Sequence, residues 1–157
     1  MAILQMTIRV ESTCDIARFI RYGTIEGNYI VDWGDDCIEV NKLYHFYKEA
    51  GVYQVTVKGD FKVGHTQFPY NIISLDKEEG CEITDLSHCF IFCQQLKSVP
   101  RDWDLSKVAN MASMFYGTKS FNQDLSHWNL EEMYTRYMFD KCPIEEKHKP
   151  KGVNFDV

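Results

Sequence analysis

"VANMASMFYGTKSFNQDLSHWNL", residues 108–130, has a counterpart one period upstream, and that repeat decides how the second half of the chain is read. Placed 25 residues apart, "ITDLSHCFIFCQQLKSVPRDWDL" (83–105) aligns with it without a gap. Ile83 meets Val108, Leu86 meets Met111, Cys89 meets Met114 and Phe90 meets Phe115. Further along, Leu96 meets Phe121, Trp103 meets Trp128 and Leu105 meets Leu130. A shortened third copy follows, in which Met138 and Phe139 repeat Met114 and Phe115 after 24 residues. A period of this length marks a supersecondary unit that buries its apolar face only against the next unit. Within a unit, Val108, Met111, Met114 and Phe115 have helical spacing, with Ser106 placed as an N-cap. Phe121, Leu125, Trp128 and Leu130 have a looser, extended spacing.

The same stretch holds Asp124, Ser126 and His127, the residue types of a hydrolytic triad. Triad members converge from separate elements, whereas neighbours on an extended segment point apart. No G-x-S-x-G elbow surrounds Ser126. "DLSH" occurs at 85–88 and at 124–127, which is 39 residues apart rather than 25, so its copies fall at different places in the unit. The inward anchors around it account for the stretch more simply than catalysis does.

Up to about residue 80 the period is two. Met6, Ile8 and Val10 alternate with Thr7 and Arg9; Tyr29, Val31 and Trp33 with Ile30 and Asp32; Tyr53, Val55 and Val57 with Gln54, Thr56 and Lys58. Such alternation predicts strands with one face towards a core. "GDD" at 34–36, "AG" at 50–51 and "KGD" at 58–60 supply turn chemistry. An antiparallel sheet or sandwich follows.

Two resemblances accompany these patterns. "YIVDWGDD" followed by "HFYKEAGVYQVTVKG" resembles the polycystic-kidney-disease-type (PKD-like) domain over about residues 25–60, through Trp33, Gly34, Asp35, His45, Tyr47, Gly51, Tyr53, Val55 and Val57. Asp36 stands where that family usually has glycine. Residues 108–130 resemble the coils of BspA-like leucine-rich-repeat proteins, and the likeness extends over about 72–142. Together they imply an α+β fold: a small N-terminal antiparallel β-sheet or sandwich fused to a short leucine-rich-repeat-like solenoid of about two and a half coils. The expected organisation is a β domain over 1–70 capping the solenoid, repeats over 71–142 and a C-terminal cap or tail over 143–157.

Of the 157 residues, 45% are hydrophobic and 14% aromatic, enough for a sizeable core, and the net charge is −6. That sign argues against nucleic acid, whose phosphates demand clustered Lys and Arg, and against an anionic membrane surface. It suits a basic protein partner. "MAILQMTIRV" lacks the basic and long apolar regions of a signal peptide, and no apolar run approaches a membrane span. The six cysteines (14, 37, 81, 89, 93 and 142) are too sparse for a disulfide scaffold, so free, mostly buried thiols in a reducing, cytoplasmic compartment are expected.

Other constellations carry less. His88, Cys89 and Cys93, with Cys81, offer soft metal ligands but no paired C-x-x-C; the repeat assigns Cys89 to the core position of Met114, and Cys93, Thr118 and Cys142 to one small inward position. Asp32, Asp35 and Asp36 offer three of the six or more oxygens a calcium ion takes, and a solvated turn accounts for them. A cysteine nucleophile with His45 or His65 has no local signature. No cofactor is expected. BspA-like proteins are regarded as adhesion or protein-interaction modules, which implies a non-enzymatic binding role. Two settings stand open: a cytoplasmic inhibitor or immunity-type protein covering a basic toxin or enzyme domain, and a fragment of a bacterial surface adhesin. In the first, Glu26, Asp35, Asp36, Glu39, Asp102, Asp104, Glu131 and Glu132 carry the contact. A hydrolase using Ser126 or a cysteine is the alternative from another class.

Overall fold

Seven strands form among the described residues, three of them over the alternating segments. In a computed structural model that describes residues 1–12 and 16–153, these are β1 (Ala2–Val10), β2 (Ile16–Arg18), β3 (Tyr22–Asp32), β4 (Ile38–Val40), β5 (Tyr44–Phe46), β6 (Gly51–Gln67) and β7 (Ile72–Glu79). A five-stranded antiparallel sheet has the order β4-β3-β6-β1-β7, and β2 pairs with β5 apart from it. Leu4, Met6 and Ile8 of β1, Val31 of β3 and Val55 and Val57 of β6 are fully buried on its inner face, with Trp33 just beyond β3. Cys14 lies outside the described residues.

"KGD" at 58–60 is not a turn. β6 runs through it for 17 residues, pairing Gly59 with both Ala2 of β1 and Tyr29 of β3. A β-carbon on Gly59 would meet the Asn28 carbonyl oxygen at 2.2 Å. Glycine here allows three strands to close up, a strand use of the residue rather than a turn use.

The α+β expectation with a helical solenoid is overturned. Strands occupy the sheet half, and among the described residues there is no α-helix; the single helical element is a 3-10 turn, Glu146–His148. The chain is a β-rich antiparallel sheet fold followed by stacked layers of tight turns. In "VANMASMF" alternate amides have different partners. Met114, Tyr116 and Thr118 donate three residues back, to Met111, Ser113 and Phe115. Met111, Ser113, Phe115 and Gly117 donate instead to the next layer, at Tyr134, Arg136, Met138 and Asp140. The layer before does likewise: Leu86, His88, Phe90 and Phe92 donate to Asn110, Ala112, Met114 and Tyr116. A helix would spend every one of these donors internally. Left-handed residues recur to make the turns: His88 and Phe92, Ser113 and Gly117, Tyr137 and Lys141. Each non-glycine among them costs about 1–2 kcal/mol, which the interlayer hydrogen bonds offset. Ser106 caps nothing; its amide donates to Asp104.

The repeat register does describe the side chains. Phe68, Phe90, Phe115 and Phe139 form one stack, with ring centroids 5.0, 5.7 and 5.5 Å apart and planes within 13° of parallel. Trp103 and Trp128 meet edge to face at 6.4 Å. The first layer lies against the edge of the sheet: Ser98 bridges Ser74 of β7 in parallel, the Leu75 amide donates to Ser98, and the Trp103 indole donates to Glu78 at 2.8 Å. β7, an edge strand open to pairing, is thus covered. One continuous apolar core runs from Ala2 to Ile144. At the far end Leu125 and Leu130 donate to His148 and Lys151.

Trp128 is buried, yet its indole N–H has no partner. Trp128→Ala is expected to lower unfolding free energy by about 3–5 kcal/mol in denaturant titrations. Trp128→Phe should cost clearly less, since it keeps a ring against Trp103 and removes an unpaired donor.

Candidate functional site

The apparent triad resolves into a turn. The Asp124 carboxylate accepts the Ser126 amide at 2.9 Å, while His127 Nε2 is 2.8 Å from the Arg101 carbonyl oxygen. An imidazole nitrogen that donates to a carbonyl is not free to take a proton from serine. The device recurs: Asp85 accepts Ser87, Asp104 accepts Ser106, Asn110 accepts Ala112 and Asn129 accepts Glu131. These are Asx-turns that satisfy a backbone donor at each corner. Their signal in the sequence is the recurring Asp or Asn two residues before the turning amide, and the neighbouring Ser and His obscure it.

The cysteine candidates are packing residues. Cys81, Cys89 and Cys93 are buried, and among the described residues the cysteines, including Cys37 and Cys142, are free thiols. Burial raises the Cys93 thiol to about 12; burial and then Glu78 do the same for Cys81. Such thiols are poor nucleophiles. His65 Nε2 meets the Ser87 carbonyl at 2.9 Å. Asp32, Asp35 and Asp36 do not converge: Asp32 accepts the Gly34 amide, Asp36 sits exposed at φ 65° in the turn, and Asp35 faces inward.

Asp35 belongs to a different constellation. From residue 33 to 40, odd positions face inward and even positions outward, so Trp33, Asp35, Cys37 and Glu39 share a side. The Trp33 amide donates to the Cys37 carbonyl at 3.0 Å, closing the turn between them. β5 delivers His45 into this corner. Its Nε2 is 2.8 Å from Asp35 Oδ2 and its Nδ1 is 3.5 Å from Glu39 Oε2. Trp33 stacks on the imidazole at 5.3 Å and Tyr47 meets it edge-on at 4.8 Å. Tyr47 in turn donates its hydroxyl to the Trp33 carbonyl at 2.7 Å. The ligand atoms of Asp35, Cys37 and His45 lie within 4.8 Å of one another. Burial, Glu39 and Asp35 push the Cys37 thiol up, the opposite of what a cysteine nucleophile needs.

The remaining predicted contact residues are dispersed. Glu26 and Asp104 stand at the two ends of a chain of alternating charge. Between them Lys62 reaches Glu82 at 2.7 Å and Lys107 approaches it at 3.8 Å, beside a cleft of about 400 Å³ lined by Glu26, Asp60, Phe61, Lys62 and Glu82. Asp102, Glu131 and Glu132 are exposed on the turn layers. Charge alone gives no sign of an aromatic ridge on the surface. Arg21 lies 3.7 Å from the Tyr70 ring, Tyr70 and Phe92 line one groove, Phe92 meets Tyr116 at 5.4 Å, and Lys141 lies over Tyr116 at 4.9 Å. Gly117 leaves room for the Phe92 ring, which an added β-carbon would meet at 2.7 Å.

Residues 64–148 match the family described as "Mycoplasma protein of unknown function, DUF285". The chain belongs to this family. The DUF285 segment takes in the end of β6, β7, every turn layer and the 3-10 turn; strands β1 to β5 lie before it. No curated protein and no solved structure matches the chain.

If Asp124 and Ser126 only form a turn, Ser126→Ala changes stability by no more than roughly 0.5 kcal/mol in denaturant unfolding. Acid should act through the Asx-turns. Burial alone would raise the Asp85 carboxyl, but hydrogen bonds from the Ser87 hydroxyl and amide, then the nearby His65 and a hydrogen bond from Asn110, hold it below the usual aspartate range. A lowered carboxyl stabilises the fold above its unfolded pKa of about 3.9, and that contribution is lost as pH falls through the folded value. Melting temperature should therefore drop steeply below about pH 4, and less steeply in Asp85→Asn.

Proposed function

We propose that this DUF285 protein is a non-enzymatic protein-binding module that covers a basic partner, such as a toxin or enzyme domain. The observation that carries the reading is the aromatic ridge of exposed Tyr70 and Phe92 and half-buried Tyr116, running between Arg21 and Lys141. Phe92 is 45% exposed beside Tyr70 and Tyr116, and aromatic and arginine side chains are the usual anchors of protein interfaces. Exposed Glu26, Asp36, Asp102, Asp104, Glu131 and Glu132, with a net charge of −6, supply the steering field. The sequence likeness of residues 72–142 to BspA-like leucine-rich-repeat proteins, and of 25–60 to PKD-like domains, supports a binding role and is compatible with a cytoplasmic inhibitor or a displayed adhesin.

The test is binding to a partner co-isolated with the full chain. Phe92→Ala is expected to weaken it at least about tenfold, mainly through faster dissociation. Asp102→Lys with Asp104→Lys is expected to slow association and flatten its dependence on salt. An affinity indifferent to both changes, or a hydrolytic activity that Ser126→Ala abolishes, would sink the reading.

A further inference from the structure

The corner of Trp33, Asp35, Cys37, Glu39 and His45 lies apart from the aromatic ridge, and its chemistry is not that of a binding rim. We propose that Asp35, Cys37 and His45 bind one divalent transition-metal ion of the zinc type, with Glu39 orienting the imidazole from its other nitrogen.

The geometry carries the proposal. A tetrahedral zinc ion bonded at about 2.0–2.3 Å keeps its ligand atoms roughly 3.3–3.8 Å apart. The three atoms here already lie within 4.8 Å of one another, so the His45–Asp35 pair need only open from 2.8 Å as the thiol closes in. The surroundings fix His45 in position. Trp33 stacks on one face, Tyr47 abuts its edge, and Glu39 stands 3.5 Å from Nδ1. A carboxylate behind a ligating histidine sets its tautomer and raises its basicity. A separate observation points the same way. Asp35 Oδ1 is buried without a hydrogen-bond partner, a carboxylate oxygen withdrawn from water beside a thiol and an imidazole. A cation there would satisfy it.

The donor set selects the ion. One thiol, one imidazole and one carboxylate suit a borderline ion, whereas calcium and magnesium take six or more oxygens. Three protein ligands leave a fourth position for water or for a donor on a partner. Binding displaces the Cys37 proton to solvent as the sulfur–metal bond forms, because the ligand is the thiolate.

The experiment uses the full chain, stripped with a chelator and titrated with Zn²⁺ and with Co²⁺ as a spectroscopic stand-in. One ion per chain is expected, with a near-ultraviolet thiolate-to-cobalt charge-transfer band and a higher melting temperature. Cys37→Ser, nearly isosteric and at a half-exposed site, should abolish the band and weaken Zn²⁺ binding by at least about tenfold. Asp35→Asn, which keeps the shape and removes the charge, should weaken it comparably. Glu39→Gln should keep the band and weaken binding about tenfold. Cys142→Ser, at the other half-buried thiol, should change neither. The proposal is overturned by a chain that takes up no Zn²⁺ at micromolar concentration, by a band that survives Cys37→Ser, or by one that disappears in Cys142→Ser.

Discussion

The arrangement of this molecule depends on a division of labour among backbone amides. In each turn layer, every second N–H closes a local turn and the intervening ones reach the next layer. Neither set suffices alone. The local turns hold no apolar face large enough to persist in water, and the interlayer bonds require left-handed residues that the turns supply at His88, Ser113 and Tyr137. The Phe90–Phe115–Phe139 stack is the apolar counterpart of that ladder, since rings at one position of each layer meet only if the backbones are in register. Phe68, from the end of the sheet half, begins the stack, so the sheet and the layers share one core.

The sequence made the side chains more legible than the backbone. Matching residues 25 apart found the buried set, from Ile83 and Val108 to Trp103 and Trp128, because burial depends on what repeats and not on how the chain turns between repeats. Spacings of three and four are shared by a helix and by a run of tight turns. Nothing in "VANMASMF" reveals that Ser113 adopts φ 56°, since its hydroxyl side chain is ordinary in either setting. "KGD" misled for a related reason: glycine serves equally where a chain reverses and where strands crowd, and only pairing with β1 and β3 distinguishes them.

The acidic residues illustrate the limits of reading charge without geometry. Asp35 and Glu39 look like rim carboxylates, yet alternation from Trp33 turns them towards His45. That alternation is visible in the residues, yet "GDD" at 34–36 reads equally as a turn that ends it. Glu26 and Asp104 are distant in sequence and meet through two lysines and Glu82, a link no spacing rule contains. Of the net charge, the share on Asp36, Asp102, Glu131 and Glu132 stays in solvent.

The strand order has a bearing on how the chain comes to be folded at all. β1 sits between β6 and β7, so Leu4 waits for both Val57 and Glu78 before its ladder is complete. During synthesis this strongly apolar strand precedes both of its partners, and its second edge stays unpaired until β7, ending at Glu79, has followed it. Pairings so distant in sequence make for slow folding, and an unpaired strand such as "ILQMTIRV" is a template for association with other chains while it waits. Yield in the cell should thus be governed by the interval between synthesis of residue 10 and residue 79, and by what shields the first strand during it.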